Sequence, residues 1–397
     1  MKFPASAVLL TACVCLRDAL ASSDAMLLDH LKNRELRPLS FERFLKVARP
    51  WAPVARSAHD DPKHMAHLKE RFVSTRTELA AIRKNRNFTF DVDFMPFHAW
   101  TESEQKLLNG GILVNESAVK IDADRTPSSA VENDGPAEHS TNLTGKGQEV
   151  DTTKAGSLKS FASLRGYQYK YVDYTALGFV TSIKSQGQCG SCYAFAAIAA
   201  IESALLQAGL GKTDLSEQQA VACTYKKYAY GRLNSGCEGG NPMYVVRYFT
   251  RRRVVTEQEH PYNERRLRWS LSCPAYNGHQ TLRLNYAYVD PRNEDYLAYL
   301  LEKNGPIVIF INGENNVLKG YRRGIFNAEE SCRGEVNHLV LLTGLVKIDG
   351  REYWIIKNSW GTRWGNNGYG IFPKGVNMCN MLGGEVTLTV INRRPTL

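Results

Sequence analysis

Residues Gln186-Gly187-Gln188-Cys189-Gly190-Ser191-Cys192-Tyr193 run directly into a long apolar, alanine-rich stretch, residues 194–208. That stretch has helix-forming composition and a natural stop at Gly209. Cys192 is therefore expected at or near a helix N-terminus. Partial positive charge there favours a thiolate, the nucleophilic form of cysteine. A nucleophilic thiol needs a base to take and return its proton. Three histidines follow residue 168: His260, His279 and His338. His260 lies in a polar, basic stretch and His279 in an Asn-Gly-His turn signal. His338 stands where polar Gly334-Glu335-Val336-Asn337 meets an apolar run at 339–342, at the mouth of an expected strand. It is the best placed of the three to face a cleft. An imidazole also needs an orienting partner, and Asn358, within Lys357-Asn358-Ser359-Trp360-Gly361, is the candidate.

The same cysteines permit another chemistry. Cys189 and Cys192 form a C-x-x-C, which at a helix start also suits thiol–disulfide exchange. That reading gives no role to Gln186, His338 or Asn358. Metal and nucleotide chemistry have no support, because H-E-x-x-H, a Walker loop and a G-x-G-x-x-G after a strand are all absent. Ser191 and Ser359 lack a G-x-S-x-G elbow. No metal or cofactor is expected.

The elements that must hold these residues belong to a long chain. Its 397 residues suffice for two or three domains, and its formal charge is +10. The basic residues are scattered, and Arg251-Arg252-Arg253 carries no recognition motif, so nucleic acid is not an expected partner. Lys2, the apolar run 3–16 and Ala19-Leu20-Ala21 predict a signal peptide over residues 1–21. The run is too short to span a bilayer, and no other stretch is apolar enough. Residues 22–167 follow. Within them, 24–110 carry two helical patterns, one marked by Phe41, Phe44 and Leu45, the other by Met65, Leu68, Phe72, Leu79 and Ile82. Residues 115–165 are polar, rich in Ser, Thr and Gly, and read as a connector. Sequons stand at Asn87, Asn115 and Asn142, all upstream of residue 168. Residues 168–397 divide at about Cys273 into a helix-rich half and a half of short apolar strands at 307–311, 339–342, 353–356, 368–372 and 386–391. This predicts an α+β fold.

Nine cysteines are present, and Cys13 and Cys15 leave with the signal peptide. Seven remain, so a secreted chain would keep one thiol unpaired; the other six allow 15 connectivities.

The motif around Cys192 fits C-G-[SA]-C-[WY], and His338 lies 146 positions downstream. Together with Asn358-Ser359-Trp360-Gly361 and Trp364-Gly365-x-x-Gly368-Tyr369-Gly370, these residues resemble the papain-like cysteine proteases, of the cathepsin L-type proenzyme kind. The resemblance covers residues 168–391. It implies a two-lobed fold, with a helical left lobe, a barrel-like antiparallel right lobe and a cleft between them. It implies Cys192 as nucleophile, His338 as base, Asn358 as its orienter, Trp360 as a shield, and Gln186 with the Cys192 backbone N–H as oxyanion donors. It pairs Cys189 with Cys237, Cys223 with Cys273 and Cys332 with Cys379, leaving Cys192 free. Gly239 and Gly240 would let a peptide approach closely. Asn241, Pro242, Phe310, Leu339 and Gly384 would line the pocket for the second residue before the cut, apolar in character; Glu385, one position on, would admit a basic residue if its loop shifted.

Residues 22–167 resemble an inhibitory propeptide, with Arg71-Phe72-Val73, Leu79 and Ile82 kept from its helix motif. Phe97 and Thr101 resemble a second motif, whose usual aspartate is Ala99 here. The expected product is a monomeric cysteine endopeptidase made as a zymogen in the secretory pathway, bound for a lysosome, an endosomal vacuole or the exterior. Polypeptides, its own propeptide and cystatin-like inhibitors are the implied partners. Tyr193, where tryptophan is usual, resembles dipeptidyl-peptidase I-type exopeptidases and keeps that alternative open. No exclusion-type domain or histidine-rich occluding loop accompanies it. A catalytically silent homologue is the remaining alternative; it would usually have lost the nucleophile or the base.

Overall fold

A computed structural model describes residues 40–48, 62–100, 102–113, 167–225, 234–269, 271–276 and 282–391. The expected signal peptide, the connector and the sequons at Asn115 and Asn142 lie outside the described residues. The described residues up to 113 and from 168 onward belong to one compact unit.

The N-terminal segment begins with α1 (Phe41–Ala48) and α2 (Pro62–Lys84). Proline opens α2, where its missing N–H costs nothing. Leu68, Phe72 and Leu79 are buried along one face, as their spacing predicts. Phe44 and Phe72 meet Phe94 at ring distances of 5.1 and 5.0 Å. Next come β1 (Phe90–Val92), a 3₁₀ turn at Pro96–Ala99 and the short α3 (Glu102–Lys106).

After β2 (Val172–Asp173), α4 spans Cys192–Gln207 and is buried for nearly its whole length. It ends as expected: Gly209 takes φ +75°, a left-handed conformation that glycine adopts without strain. Against α4 pack α5 (Glu217–Cys223) and α6 (Pro242–Phe249), and α7 (Glu264–Trp269) packs on α5.

The second half contains β3 (Leu284–Val289), α8 (Glu294–Asn304), β4 (Ile307–Ile311), α9 (Asn316–Gly320), β5 (Tyr321–Gly324), β6 (His338–Ile348), β7 (Arg351–Lys357), β8 (Tyr369–Pro373) and β9 (Val386–Ile391). Except for β5, these strands join one antiparallel sheet in the order β3-β9-β4-β6-β7-β8, with β2 added beside β6. The sheet is open, with β3 and β8 as its edges, so the expected barrel-like lobe is an open sheet among the described residues. β4 and β6 read as continuous apolar runs because both faces are buried. Ile307, Ile309, Ile311, Val340 and Leu342 enter one core. Val308, Phe310, Leu339 and Leu341 enter a second core, shared with α4. α4 thus lies against the face of β6, and this packing brings the first residue of α4 beside the first residues of β6.

β5 stands outside the main sheet. It pairs antiparallel with β1, Phe90 opposite Gly324 and Asp91 opposite Arg323. The N-terminal segment is therefore fastened to the rest of the molecule by a strand.

Candidate active site

Cys192 is the first residue of α4 and is fully buried. The loop before it is held from several sides. Cys189 is bonded to Cys237, and the Gly190 N–H donates to the Cys237 carbonyl at 2.8 Å. Tyr262 Oη donates to the Gln186 carbonyl and shares a hydrogen bond with Ser191 Oγ, both at 2.8 Å. Glu264 accepts the Gln188 N–H at 2.8 Å. The other disulfides join Cys223 to Cys273 and Cys332 to Cys379, and Cys192 is the free cysteine. With Cys189 committed to Cys237, the C-x-x-C is not a redox pair.

The Leu339 backbone reaches the Cys192 thiol, which places the start of β6 at the sulfur. His338, one residue earlier, is fully buried, and its Nε2 lies 2.9 Å from Asn358 Oδ1. Asn358 Oδ1 also accepts the Ser359 N–H at 2.7 Å, which fixes the amide. With Nε2 donating to Asn358, Nδ1 is left as the acceptor; it is buried and has no hydrogen-bond partner among the described residues. Trp360 stacks on the imidazole at 4.6 Å between ring centres, covering the His338–Asn358 bond. Lys357, just before Asn358, is anchored through Nζ to the Thr181 carbonyl and hydroxyl at 3.0 Å each.

Gln186 is fully buried. Its Oε1 accepts Ser359 Oγ–H at 2.6 Å, which turns Nε2 toward the cleft. Nε2 donates to the Cys189 carbonyl at 2.9 Å and to the Leu108 carbonyl at 3.1 Å. Leu108 belongs to the N-terminal segment, and residues 108–112 pass straight across the cysteine. The Gly110 N–H points at Cys192 Sγ, 3.2 Å away. The Gly111 N–H donates to the Asn337 carbonyl at 2.9 Å. Gly240 N–H donates to the Gly110 carbonyl at 2.7 Å, and the Ile112 N–H returns to the Gly240 carbonyl at 2.9 Å. Asn241 Nδ2 donates to the Ile112 carbonyl at 3.0 Å.

Such closeness demands glycine. A Cβ on Gly110 would lie 2.0 Å from the Gly190 carbonyl oxygen, and one on Gly239 would lie 2.8 Å from the Gly110 oxygen. The sequence suggested the second site. Gly110 and Gly111 escaped it, because nothing local tells which glycine will meet a cleft 80 positions away.

Burial under this strip governs the titration. The Cys192 thiol is pushed up to about 11 by desolvation, despite help from the Leu339 and Gly110 backbones. His338 is pushed down to about 4, again chiefly by desolvation, against the Asn358 hydrogen bond. Covered, the pair is a neutral thiol beside a neutral imidazole.

Among the expected pocket residues, Phe310 lies against Gly111 and Gly384, within about 3 Å of where a Cβ on either would sit. Leu339 pairs with Phe310 across β4 and β6 and is buried. Asn241 caps α6, and Pro242 is the first residue of that helix. Tyr193 is fully buried and donates to the Gly236 carbonyl at 3.0 Å. Asn87 is exposed. On the other side of Gln186, a cavity of about 320 Å³ is walled by Met95, Phe97, Trp100 and Leu108 against Gln186, Ser359 and Trp360. Ser359 and Lys357, which hold these groups in place, had no signal beyond adjacency to Asn358, and Tyr262 had none. Among the described residues no cluster of His, Cys, Asp or Glu is placed to hold a metal, and no helix is long and apolar enough to cross a membrane.

The profile of the papain family cysteine proteases matches residues 169–388. A cysteine protease of Blomia tropicalis is 33% identical over 250 residues, 60% of this chain and 72% of that protein. Cathepsin 7 of Mus musculus is 32% identical over 211 residues, 52% of this chain and 61% of its own. Among solved structures, one from a study of the mite allergens Blo t 1 and Der p 1 is 25% identical with a TM-score of 0.66, over 89% of this chain and 99% of that one. A digestive procathepsin L 3 of Tenebrio molitor shares the fold at 22% identity and a TM-score of 0.62, over 88% of this chain and 98% of the other. A match of this extent, on a chain whose free cysteine, histidine and asparagine meet in one cleft, places the protein in the papain family of cysteine proteases.

Proposed function

We propose that this protein is a cysteine endopeptidase held inactive by its own N-terminal segment. One observation carries the reading: residues 108–112 run through the cleft from one side of Cys192 to the other, bound by backbone hydrogen bonds. A cleft that takes a continuous chain on both sides suits internal cleavage. The cavity beside Gln186 leaves further room there. Tyr193, the residue that favoured exopeptidase action, is turned into the core and closes neither end.

The same strip accounts for inactivity. An N–H faces the sulfur where a productive substrate presents a carbonyl carbon. The Leu108 carbonyl occupies the Gln186 amide. Once residues 40–113 leave, water and the α4 N-terminus favour charge on sulfur, and the proton passes to His338 Nδ1. Cys192 Sγ attacks the peptide carbonyl, and Gln186 Nε2 and the Cys192 N–H hold the developing oxyanion. His338 protonates the departing amine. It then takes a proton from water, which cleaves the thioester and frees the acid. Asn358 keeps the ring in register, and Trp360 shields that bond.

Residues 22–167 are assigned as propeptide, with residues 1–21 as signal peptide and 168–397 as the enzyme. Three disulfides fit folding in the secretory pathway. Phe310 and Leu339 support an apolar preference at the second residue before the cut. Cys192→Ala should abolish hydrolysis of peptides by processed protein while thermal unfolding is unchanged. Normal turnover in that variant rules out the mechanism. Profiling a library of long peptides with the processed enzyme tests internal cleavage; release of terminal dipeptides alone would refute it.

A further inference from the structure

The strip where β1 meets β5 has features that fastening a propeptide does not exhaust. β5 has no strand partner but β1 among the described residues. Its edge is read by backbone and side chain together. The Ile325 N–H donates to the Thr89 carbonyl, and the Asp93 N–H to the Gly320 carbonyl, both at 2.9 Å. Asn327 adds two further bonds. Its Oδ1 accepts the Thr89 N–H at 2.9 Å, and its Nδ2 donates to the Asn87 carbonyl at 3.0 Å.

Two glycines clear the approach. A Cβ on Gly324 would lie 2.4 Å from the Thr89 oxygen, and one on Gly320 would lie 3.1 Å from the Asp93 oxygen. Between them is an aromatic socket. Phe90 is fully buried against Phe326, at 4.7 Å between ring centres, and Tyr321, at 6.1 Å.

The charge is equally one-sided. Burial weighs most against the Arg322 charge; Asp93 and Asp91 support it, and Arg363 and Arg323 repel it. In the resident strand Asp91 also pairs with Arg83 of α2, at 3.0 Å. When residues 40–113 leave, an open strand edge, an apolar socket and three neighbouring arginines remain on the enzyme. Open edges bind strands, and an apolar patch that loses its cover binds a new one.

We propose that the processed enzyme uses β5 as an exosite for protein substrates, capturing an extended segment that alternates aromatic or aliphatic residues with acidic ones. The inference rests on the release of residues 40–113 proposed above. The site grips the substrate away from the scissile bond. It raises the local concentration of cleavable chain at Cys192 without touching the reacting atoms.

The test uses enzyme processed from the full chain. One substrate joins a cleavable peptide through about 25 Gly/Ser residues, a mean span near 25–30 Å, to the sequence of residues 87–95. Its control carries the same nine residues scrambled. The intact segment should lower KM about tenfold and leave kcat unchanged. Arg323→Glu and Asn327→Ala should each remove most of that advantage while turnover of a short substrate stays as it was. Free peptide 87–95 should erase the advantage without inhibiting the short substrate. Equal KM values for the two long substrates overturn the exosite. So does inhibition of the short substrate by the free peptide, which would place its binding in the cleft. Short-substrate turnover with residues 40–113 still attached and docked refutes release and exosite together, whereas a processed, active enzyme indifferent to the segment refutes the exosite alone.

Discussion

Across the cleft, residues 108–112 are held by the backbones of Asn337 and Gly240 and by the Gln186 amide, with Gly110 pressed to the sulfur. Along β5, residues 89–93 are held by the backbones of Gly320 and Ile325 and by the Asn327 amide, with Gly324 pressed to Thr89. The two strips share one construction: an extended chain, two backbone anchors, side-chain amides (Gln186 and Asn241 in the cleft, Asn327 at β5) and a glycine where chains nearly touch. They differ in what lies beneath. Under the first are a thiol and an imidazole, both forced neutral by cover. Under the second are Tyr321 and Phe326, whose rings pack against Phe90. Strand pairing therefore supplies the grip in both places, and the buried side chains decide whether the grip stops chemistry.

That contrast predicts that damage to the β5 strip loosens docking and spares turnover, whereas damage to the cleft strip reaches both. The largest effect should come from Phe90→Ala. Truncating a fully buried phenylalanine typically costs about 3–5 kcal/mol, so the full chain should expose residues 40–113 to added protease and process itself far faster. The processed enzyme, which has lost residue 90, should keep its normal kcat. Unchanged protease protection would show that the β5 strip does not fasten the segment.

Gln186→Ala comes next. Loss of an oxyanion donor typically lowers kcat by about 10²–10³, measurable with a short substrate after processing. Docking should weaken by only the one bond to Leu108, about 0.5–1.5 kcal/mol. A normal kcat would remove Gln186 from the site. Gly110→Ala sharpens the cleft side, since its Cβ has no room beside Gly190. Overpacking of this kind costs about 1–3 kcal/mol. The unprocessed variant should label faster with a thiol reagent at Cys192 while β1 still protects Phe90 from proteolysis. Labelling as slow as in the parent chain would mean that the strip yields without strain.

The chemistry was easier to read in the sequence than the scaffolding. The α4 helix was legible because an alanine-rich, apolar run ending in glycine has few other uses. β6 was read as 339–342 and runs to Ile348, because Thr343 and Gly344 interrupt the apolar run and the less buried end, 346–348, is held by pairing with β7. α8 was missed inside a half read as strands, although Asn293 caps it and Leu297, Leu300 and Leu301 line its buried face. Ser359 was seen only as part of a motif. Its bond to Gln186 joins residues 173 positions apart, and no local pattern records such a meeting.

The smallest predicted effect is a pH dependence of docking, set by a histidine between the two strips. His98 lies on the 3₁₀ turn, fully enclosed by its surroundings. Its Nδ1 accepts the Met95 N–H at 2.9 Å, and Nε2 faces the Asn316 carbonyl at 3.3 Å. Both contacts are satisfied by one neutral tautomer. A second proton, on Nδ1, would set two N–H groups against each other. Phe94 and Phe97 offer that charge no partner, and Lys319 and Arg71 repel it. Burial, the largest cause, pushes the group down to about 3. The released segment, with an ordinary histidine, therefore binds more protons than the docked one between about pH 3 and 6.5. Docking is at full strength above that window and weakens as pH falls through it, by up to about 1.4 kcal/mol per unit for this group. His338 adds no such term above about pH 4, because on release its proton comes from Cys192 and the pair takes up none from solvent. Processing should therefore accelerate on acidification, by up to about tenfold per unit near the middle of the window. His98→Gln, which keeps an acceptor and cannot take the proton, should lower the slope of log rate against pH by up to one. An identical slope in the variant would show that His98 stays neutral throughout.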